Sequence, residues 1–227
     1  PAVGLLYVTP LLVCVLALSL YPVIDVIRMS FSEIILANIR ESRFVGLANY
    51  RALLKVKDPS FTQVLRVTLL FVGGSVILHI LIGLGLAVML NNPWLRIRGL
   101  LRNLYMMPWI TAGIIVGYTW SFLLEPRAGI INYLLALAGL PTQSWTADPV
   151  LALPAIILAN VWRGVPYSLI LQTAGLQSIN LEIYDAARVD GAGPLQTFLR
   201  ITLPLIREFL LLNFILDTGL TLHVFDT

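Results

Sequence analysis

Apolar runs alternate with polar connections along the whole chain, and five of the runs are long enough to be read as membrane crossings. They lie near 5–27, 66–90, 103–124, 150–173 and 205–225, and a helix needs about 20 apolar residues to cross the hydrocarbon core. A polar stretch to about residue 62 separates the first two. A short basic turn with Arg96, Arg98 and Arg102 separates the second and third. Between the fourth and fifth lies a charged island, 182–204. Small residues recur four apart inside the runs, at Gly83 and Ala87, Gly113 and Gly117, Ala155 and Ala159. Such pairs let helices approach closely in lipid and are expected to serve bundle packing. The first run is too long, and lacks the small-residue cleavage site, for a removable signal peptide. The chain begins at Pro1 without an initiator Met and stops just after the fifth run, so both ends read as trimmed.

Composition agrees with the pattern. The chain is 58% hydrophobic and 12% charged, with mean hydropathy +0.87, where a soluble domain carries roughly a quarter charged residues. The net charge of +3 and pI near 9.2 do not point to nucleic acid, because the Lys and Arg residues are scattered between the runs as membrane anchors are. Cys14, the single cysteine, excludes an intrachain disulfide and supplies no metal set. His79 and His223 are far apart in sequence and have no ligand-like neighbours. Orientation from charge is weak. The basic turn favours one side, while the stretch at 32–62 holds Arg40, Arg43, Arg51, Lys55 and Lys57 beside Glu33, Glu41 and Asp58 on the other.

The island has the design of a docking elbow. Asn180 can cap a short helix whose first turn carries Glu182 and Asp185, carboxylates suited to a helix N-terminus. Ala186 and Ala187 would keep one side small for a partner. Gly191-Ala192-Gly193 permits a sharp change of direction. Pro194 suits the first position of a second helix, and Pro204 begins the next apolar span.

This order of residues resembles the cytoplasmic coupling loop of ABC importer permeases, whose signature is Glu-Ala-Ala, three residues, Gly, nine residues, Ile-x-Leu-Pro. Asp185-Ala186-Ala187, Gly191, Ile201, Leu203 and Pro204 fall at those spacings. Other segments resemble carbohydrate-uptake permeases of the maltose type. They are Phe44-Val45-Gly46-Leu47-x-Asn49-Tyr50, Asp58-Pro59-x-Phe61, Arg98-Gly99-x-x-Arg102, Pro108-Trp109 and Asn160-x-Trp162-x-Gly164-x-Pro166-Tyr167. The resemblance covers most of the chain from residue 44 onward. It departs from the pattern at Asp185, one methylene shorter than the usual Glu, and in lacking a sixth core helix.

The resemblance implies an all-α integral membrane protein, the transmembrane domain of a type I ABC importer, as a single domain over 1–227 with its coupling loop at about 178–204. It implies a location in the bacterial cytoplasmic membrane, with the elbow on the cytoplasmic side. The expected partners are a second homologous permease, two ATPase subunits, an extracytoplasmic solute-binding protein and the lipid bilayer, with no nucleic acid. The long first external loop would contact the binding protein. Glu182, Tyr184, Asp185, Ala186, Ala187, Asp190, Gly191 and Ala192 would dock on the ATPase.

No G-x-x-x-x-G-K-[ST] loop is present, so the chain is not expected to bind ATP in the P-loop manner. No catalytic set stands out either. ATP and Mg would reside on the partner ATPase, and no cofactor on this chain. For the solute, polar and aromatic residues inside the spans are the candidates. Asn160 lies mid-span, where an unpaired amide is costly, and the matching Asn of maltose-type relatives faces the sugar path. Asn160, Gly164 and Tyr167 fall on one helical stripe, on which Gly164 would open space beside the amide and Tyr167 would offer an aromatic face. Trp162, Tyr118 and Trp120 could stack on a sugar, with packing or interface anchoring as the plainer role. Arg163 is expected to pair with Asp217 for want of another intramembrane carboxylate. Two other classes remain open at this point. An ion-coupled secondary transporter would need titratable residues near a broken helix, and a purely structural scaffold would leave the elbow unexplained.

Overall fold

The computed structural model describes residues 2–34, 43–92 and 95–226, so Arg40 and Glu41 of the first loop lie outside the described residues. The chain divides into two compact units, Pro1–Arg66 and Val67–Thr227.

In the first unit, α1 (Ala2–Ser30) carries Pro10 and Pro22. It runs into a two-residue hairpin, β1 (Ser32–Glu33) antiparallel to β2 (Arg43–Phe44), and then α2 (Ala48–Lys55). The loop motif singled out in the sequence fastens this unit together. Asn49 donates to the carbonyls of Ser30 and Ser32 at 2.9 and 3.0 Å, and the Tyr50 hydroxyl donates to Ser30 Oγ at 2.8 Å. Gly46 sits at φ +57°, which explains a glycine between Val45 and Leu47. Asn49 and Tyr50 therefore tie the start of α2 to the end of α1.

The second unit contains most of α3 (Phe61–Asn91), followed by α4 (Arg98–Ile110), α5 (Gly113–Leu123), α6 (Ile130–Leu137) and α7 (Ala152–Gln177). The elbow helix α8 (Leu181–Val189) comes next, then α9 (Pro194–Thr197), a π turn at Phe198–Thr202, α10 (Leu203–Leu205) and α11 (Arg207–Leu222), ending in a 3-10 turn. Among the described residues, Tyr7–Ser30, Phe61–Asn91 and Ala152–Gln177 are long and apolar enough to cross a membrane.

Two of the five expected spans differ from the sequence reading. The third is broken, since α4 and α5 meet at 97°. Thr111 and Ala112 are extended at the joint, and the Thr111 hydroxyl donates back to the Met107 carbonyl at 2.8 Å. Pro108 inside α4 removes a backbone donor one turn earlier, which loosens the helix there. The fifth is a helix of 16 residues, about 24 Å at 1.5 Å per residue, short of the ~30 Å core. Helical turns flank it on both sides, α10 (Leu203–Leu205) before a turn at Ile206 and the 3-10 turn His223–Asp226 after it.

The bundle core of this unit joins Ala87, Leu90, Leu169, Leu176, Ile179 and Ile206. Helices α3 and α7 come together at Gly83, where a Cβ would lie 2.7 Å from Ser168 Cβ. Gly83 and Ala87 thus serve packing as expected. Gly117 has open space around it. Polar groups accompany the crossing. Gln172 donates to the Ile80 carbonyl at 3.1 Å, and the Ser168 hydroxyl donates to Asn213 Oδ1 at 3.2 Å.

Candidate functional site

Two places in the second unit bring the sequence-selected residues together. The first is a cavity of about 130 Å³ lined by His79, Trp109, Asn160, Arg163, Gly164, Tyr167, Asp217, Leu220, Thr221 and Val224. Helix α7 supplies Asn160, Arg163, Gly164 and Tyr167, because positions i, i+3, i+4 and i+7 share one face. The Asn160 Nδ2 is buried and has no hydrogen-bond partner among the described residues. Trp109, just before the break in α4, lies with its ring 6.2 Å from that of Tyr167 at 32°. An unpaired buried amide costs about 1–3 kcal/mol. A ligand oxygen that accepts from it removes that cost.

Trp162 and Trp120 lie elsewhere. Two residues beyond Asn160, Trp162 is turned by about 200° around the helix. Its ring makes an edge contact at 6.2 Å with Trp120, and both line an apolar groove with Pro108, Val161 and Pro166. Tyr118 is 74% exposed and lines neither space. The expected aromatic set is thus divided.

Asp217 is not paired with Arg163. Its Oδ2 lies 2.9 Å from His79 Nδ1, and the other ring nitrogen lies 3.1 Å from the Asn160 carbonyl. The imidazole is more compact than a guanidinium and reaches Asp217 from α3, so the buried carboxylate takes the histidine. His79 is 1% exposed. It had no neighbour in sequence to draw attention to it, and its mid-span position among apolar residues was the available signal. Gly164 has a different job from opening room beside the amide: a Cβ there would run into His79 Cε1 and Nε2. Gly164→Ala should therefore force the ring aside, and overpacking of this kind typically costs about 1–3 kcal/mol. A lowered unfolding temperature of the detergent-purified subunit is the expected result, and an unchanged one would show that the ring can give way freely.

The second place is the elbow. Asn180 Oδ1 accepts from the Glu182 backbone N–H at 3.1 Å, capping α8. At its other end, Gly191 N–H donates to Arg188 O at 3.1 Å and Ala192 N–H to Ala187 O at 2.9 Å. These two bonds form a Schellman ending, which needs the left-handed residue that Gly191 supplies at φ +76°. Gly193 has an ordinary φ of −71°, and Pro194 opens α9.

The faces of α8 separate the expected docking residues. Glu182, Asp185, Ala186, Asp190 and Gly191 are exposed. Ala187 is buried, and the Tyr184 hydroxyl lies 3.2 Å from Thr202 Oγ1. Tyr184 and Ala192 line a cavity of about 450 Å³ with Asn91, Arg188 and Phe198. Tyr184 and Ala187 therefore tie the elbow to the helices, and of the Ala pair it is Ala186 that faces outward. Asp185 pairs with Arg188 at 3.0 Å, an exposed bond that adds little to stability and is free to exchange.

Residues 79–225 match the family described as the binding-protein-dependent transport system inner membrane component, and the chain belongs to that family. It has the membrane-domain fold of type I ABC importers and is a multi-pass protein of the cytoplasmic membrane. It is 36% identical over 98% of its length, and 74% of the relative's, to the trehalose/maltose transport system permease protein MalF of Thermococcus litoralis. It is 32% identical, over 98% and 74%, to the lactose transport system permease protein LacF of Rhizobium radiobacter. A solved bacterial ABC transporter involved in import of the acidic polysaccharide alginate superposes with TM-score 0.80. The two are 25% identical, covering 99% of this chain and 74% of that one.

Proposed function

We propose that this chain is the permease subunit of an ATP-driven importer, and that it passes a sugar or related polar solute across the cytoplasmic membrane through the cavity between α3, α7 and α11. The observation that carries the solute site is the buried Asn160 amide with no acceptor among the described residues, set beside the Tyr167 and Trp109 rings. A hydroxyl-rich ligand needs that mixture of hydrogen-bonding and stacking groups. Relatives named for trehalose/maltose and lactose transport support a carbohydrate as the solute.

The rest of the assembly follows the same reading. The exposed face of α8 docks on one of two ATPase subunits, which hold the ATP and Mg. A second homologous permease completes the pathway, and an extracytoplasmic binding protein delivers the solute. One solved relative of the membrane chain is in complex with an alginate pentasaccharide-bound periplasmic protein, which supports a partner of that kind here. The hairpin and α2, fastened to α1 through Asn49 and Tyr50, offer that protein a preformed surface.

Asn160→Ala tests the site. One lost hydrogen bond is worth about 0.5–1.5 kcal/mol, so uptake per purified intact complex should fall roughly two- to tenfold while the amount of assembled complex is unchanged. Normal uptake per complex would remove Asn160 from the pathway and leave it a helix-to-helix tie.

A further inference from the structure

His79 touches two of the cavity's polar residues, each on a different helix. A carbonyl oxygen only accepts, so the ring nitrogen 3.1 Å from Asn160 O, Nε2, must carry a hydrogen. Nδ1 then shares one further proton with Asp217 Oδ2 across 2.9 Å. The pair is either imidazolium with carboxylate or imidazole with carboxylic acid, and its net charge is zero in both forms. Both ring nitrogens are occupied by protein, which leaves the ring no polar group to offer a solute.

Building on the solute reading above, the geometry points to His79 as a positioning residue of the transport site, acting through Asp217 and Asn160. From α3 it holds the Asp217 carboxylate of α11 by one oxygen. The pairing uses this one oxygen, and Asp217 lines the same cavity as Asn160. From the same ring it holds α7 at the residue whose side-chain Nδ2 has no hydrogen-bond partner among the described residues. The result is a fixed acceptor and a fixed donor lining one cavity. A sugar hydroxyl donates one hydrogen bond and accepts others, so a donor and acceptor held in register select it over an apolar or purely anionic group. Gly164 fits the same design. A side chain there would occupy the space of the ring, and the clamp could not close.

The alternative is that His79 merely staples three helices. The assembled importer, reconstituted in liposomes with its binding protein and the solute that protein carries, distinguishes the two when solute moved per ATP hydrolysed is read beside uptake per complex. His79→Leu keeps bulk without donors and should lower solute per ATP about tenfold or more, since two bonds are lost. Binding-protein-stimulated ATP hydrolysis should persist. His79→Asn keeps a donor at the Nδ1 position and His79→Gln one at the Nε2 position, so both should recover part of the loss. His79→Leu combined with Asp217→Asn should be no worse than the worse single variant.

A normal solute-to-ATP ratio in assembled His79→Leu overturns the positioning role. If that variant does not assemble, wild-type ratios in both His79→Asn and His79→Gln overturn it. Normal uptake in Asn160→Ala and Asp217→Asn together would sink the site itself. Impairment in those two with normal His79→Leu would sink the positioning role alone.

Discussion

Gly191→Val leaves the subunit inserted and assembled but abolishes transport: uptake in liposomes falls by well over about tenfold, and ATP hydrolysis no longer responds to the loaded binding protein. The expectation comes from backbone geometry. A Cβ at Gly191 meets nothing within 4 Å, so the substitution causes no clash. Its cost is conformational, because φ is +76°, where a β-branched residue is a strong outlier and the left-handed form costs roughly 1–2 kcal/mol. To relieve it the chain must give up the bonds from Gly191 and Ala192 to the end of α8. The outward face with Glu182, Ala186 and Asp190 then turns away from its partner, while Tyr184 and Ala187 lose their seat on the helices. Gly193→Val is the internal control. Its φ of −71° is ordinary and a Cβ there also meets nothing within 4 Å, so transport should stay within about twofold of wild type, as for a harmless surface change. Equal coupling in Gly191→Val and Gly193→Val would mean that the elbow's bend is not what transmits the ATPase motion.

The elbow was readable from sequence because its instructions are local. A cap at Asn180, a left-handed residue at Gly191 and a helix-starting Pro194 each fix the backbone over a few residues, and the structure has all three in place. The stripe of Asn160, Gly164 and Tyr167 was readable for the same reason, since helical period alone puts them on one face. What sequence could not give was the partner of each polar side chain across the bundle. Asp217 could have taken Arg163 or His79 on grounds of scarcity, and only the crossing of α3, α7 and α11 decides for the histidine. The break at Thr111 and Ala112 was also hidden. Pro108 in a membrane helix is compatible with a modest kink, whereas a bend of 97° depends on where α5 finds its packing against α7. Gly164 shows the limit most clearly: a glycine beside a solute residue suggests room for the solute, and the room is taken by an imidazole from another helix.

Collapse of the proton and sodium gradients should leave uptake within about twofold, while loss of the partner ATPase's catalytic residue should stop it. This test matters because the structure contains what an ion-coupled carrier would use. A titratable pair, His79 and Asp217, is buried at mid-bundle, and a broken helix pair lies in the same unit, both features of secondary transporters. Two observations weigh the other way. The pair is joined through Nδ1 and Oδ2 and holds the Asn160 backbone as well, which suits a fixed element better than one that must load and unload a cation in every cycle. The family match covers residues 79–225, and therefore includes the pair, α7, the elbow and α11 in one binding-protein-dependent unit. On the proposed reading, conformational coupling would run from the elbow, through contacts of its exposed face with an ATPase that differ between two states. Liposomes holding the complete importer, ATP and an ionophore separate the mechanisms. If uptake stops when the gradients collapse and internal ATP is still high, the His79–Asp217 pair carries the coupling ion and the ATP-driven reading falls.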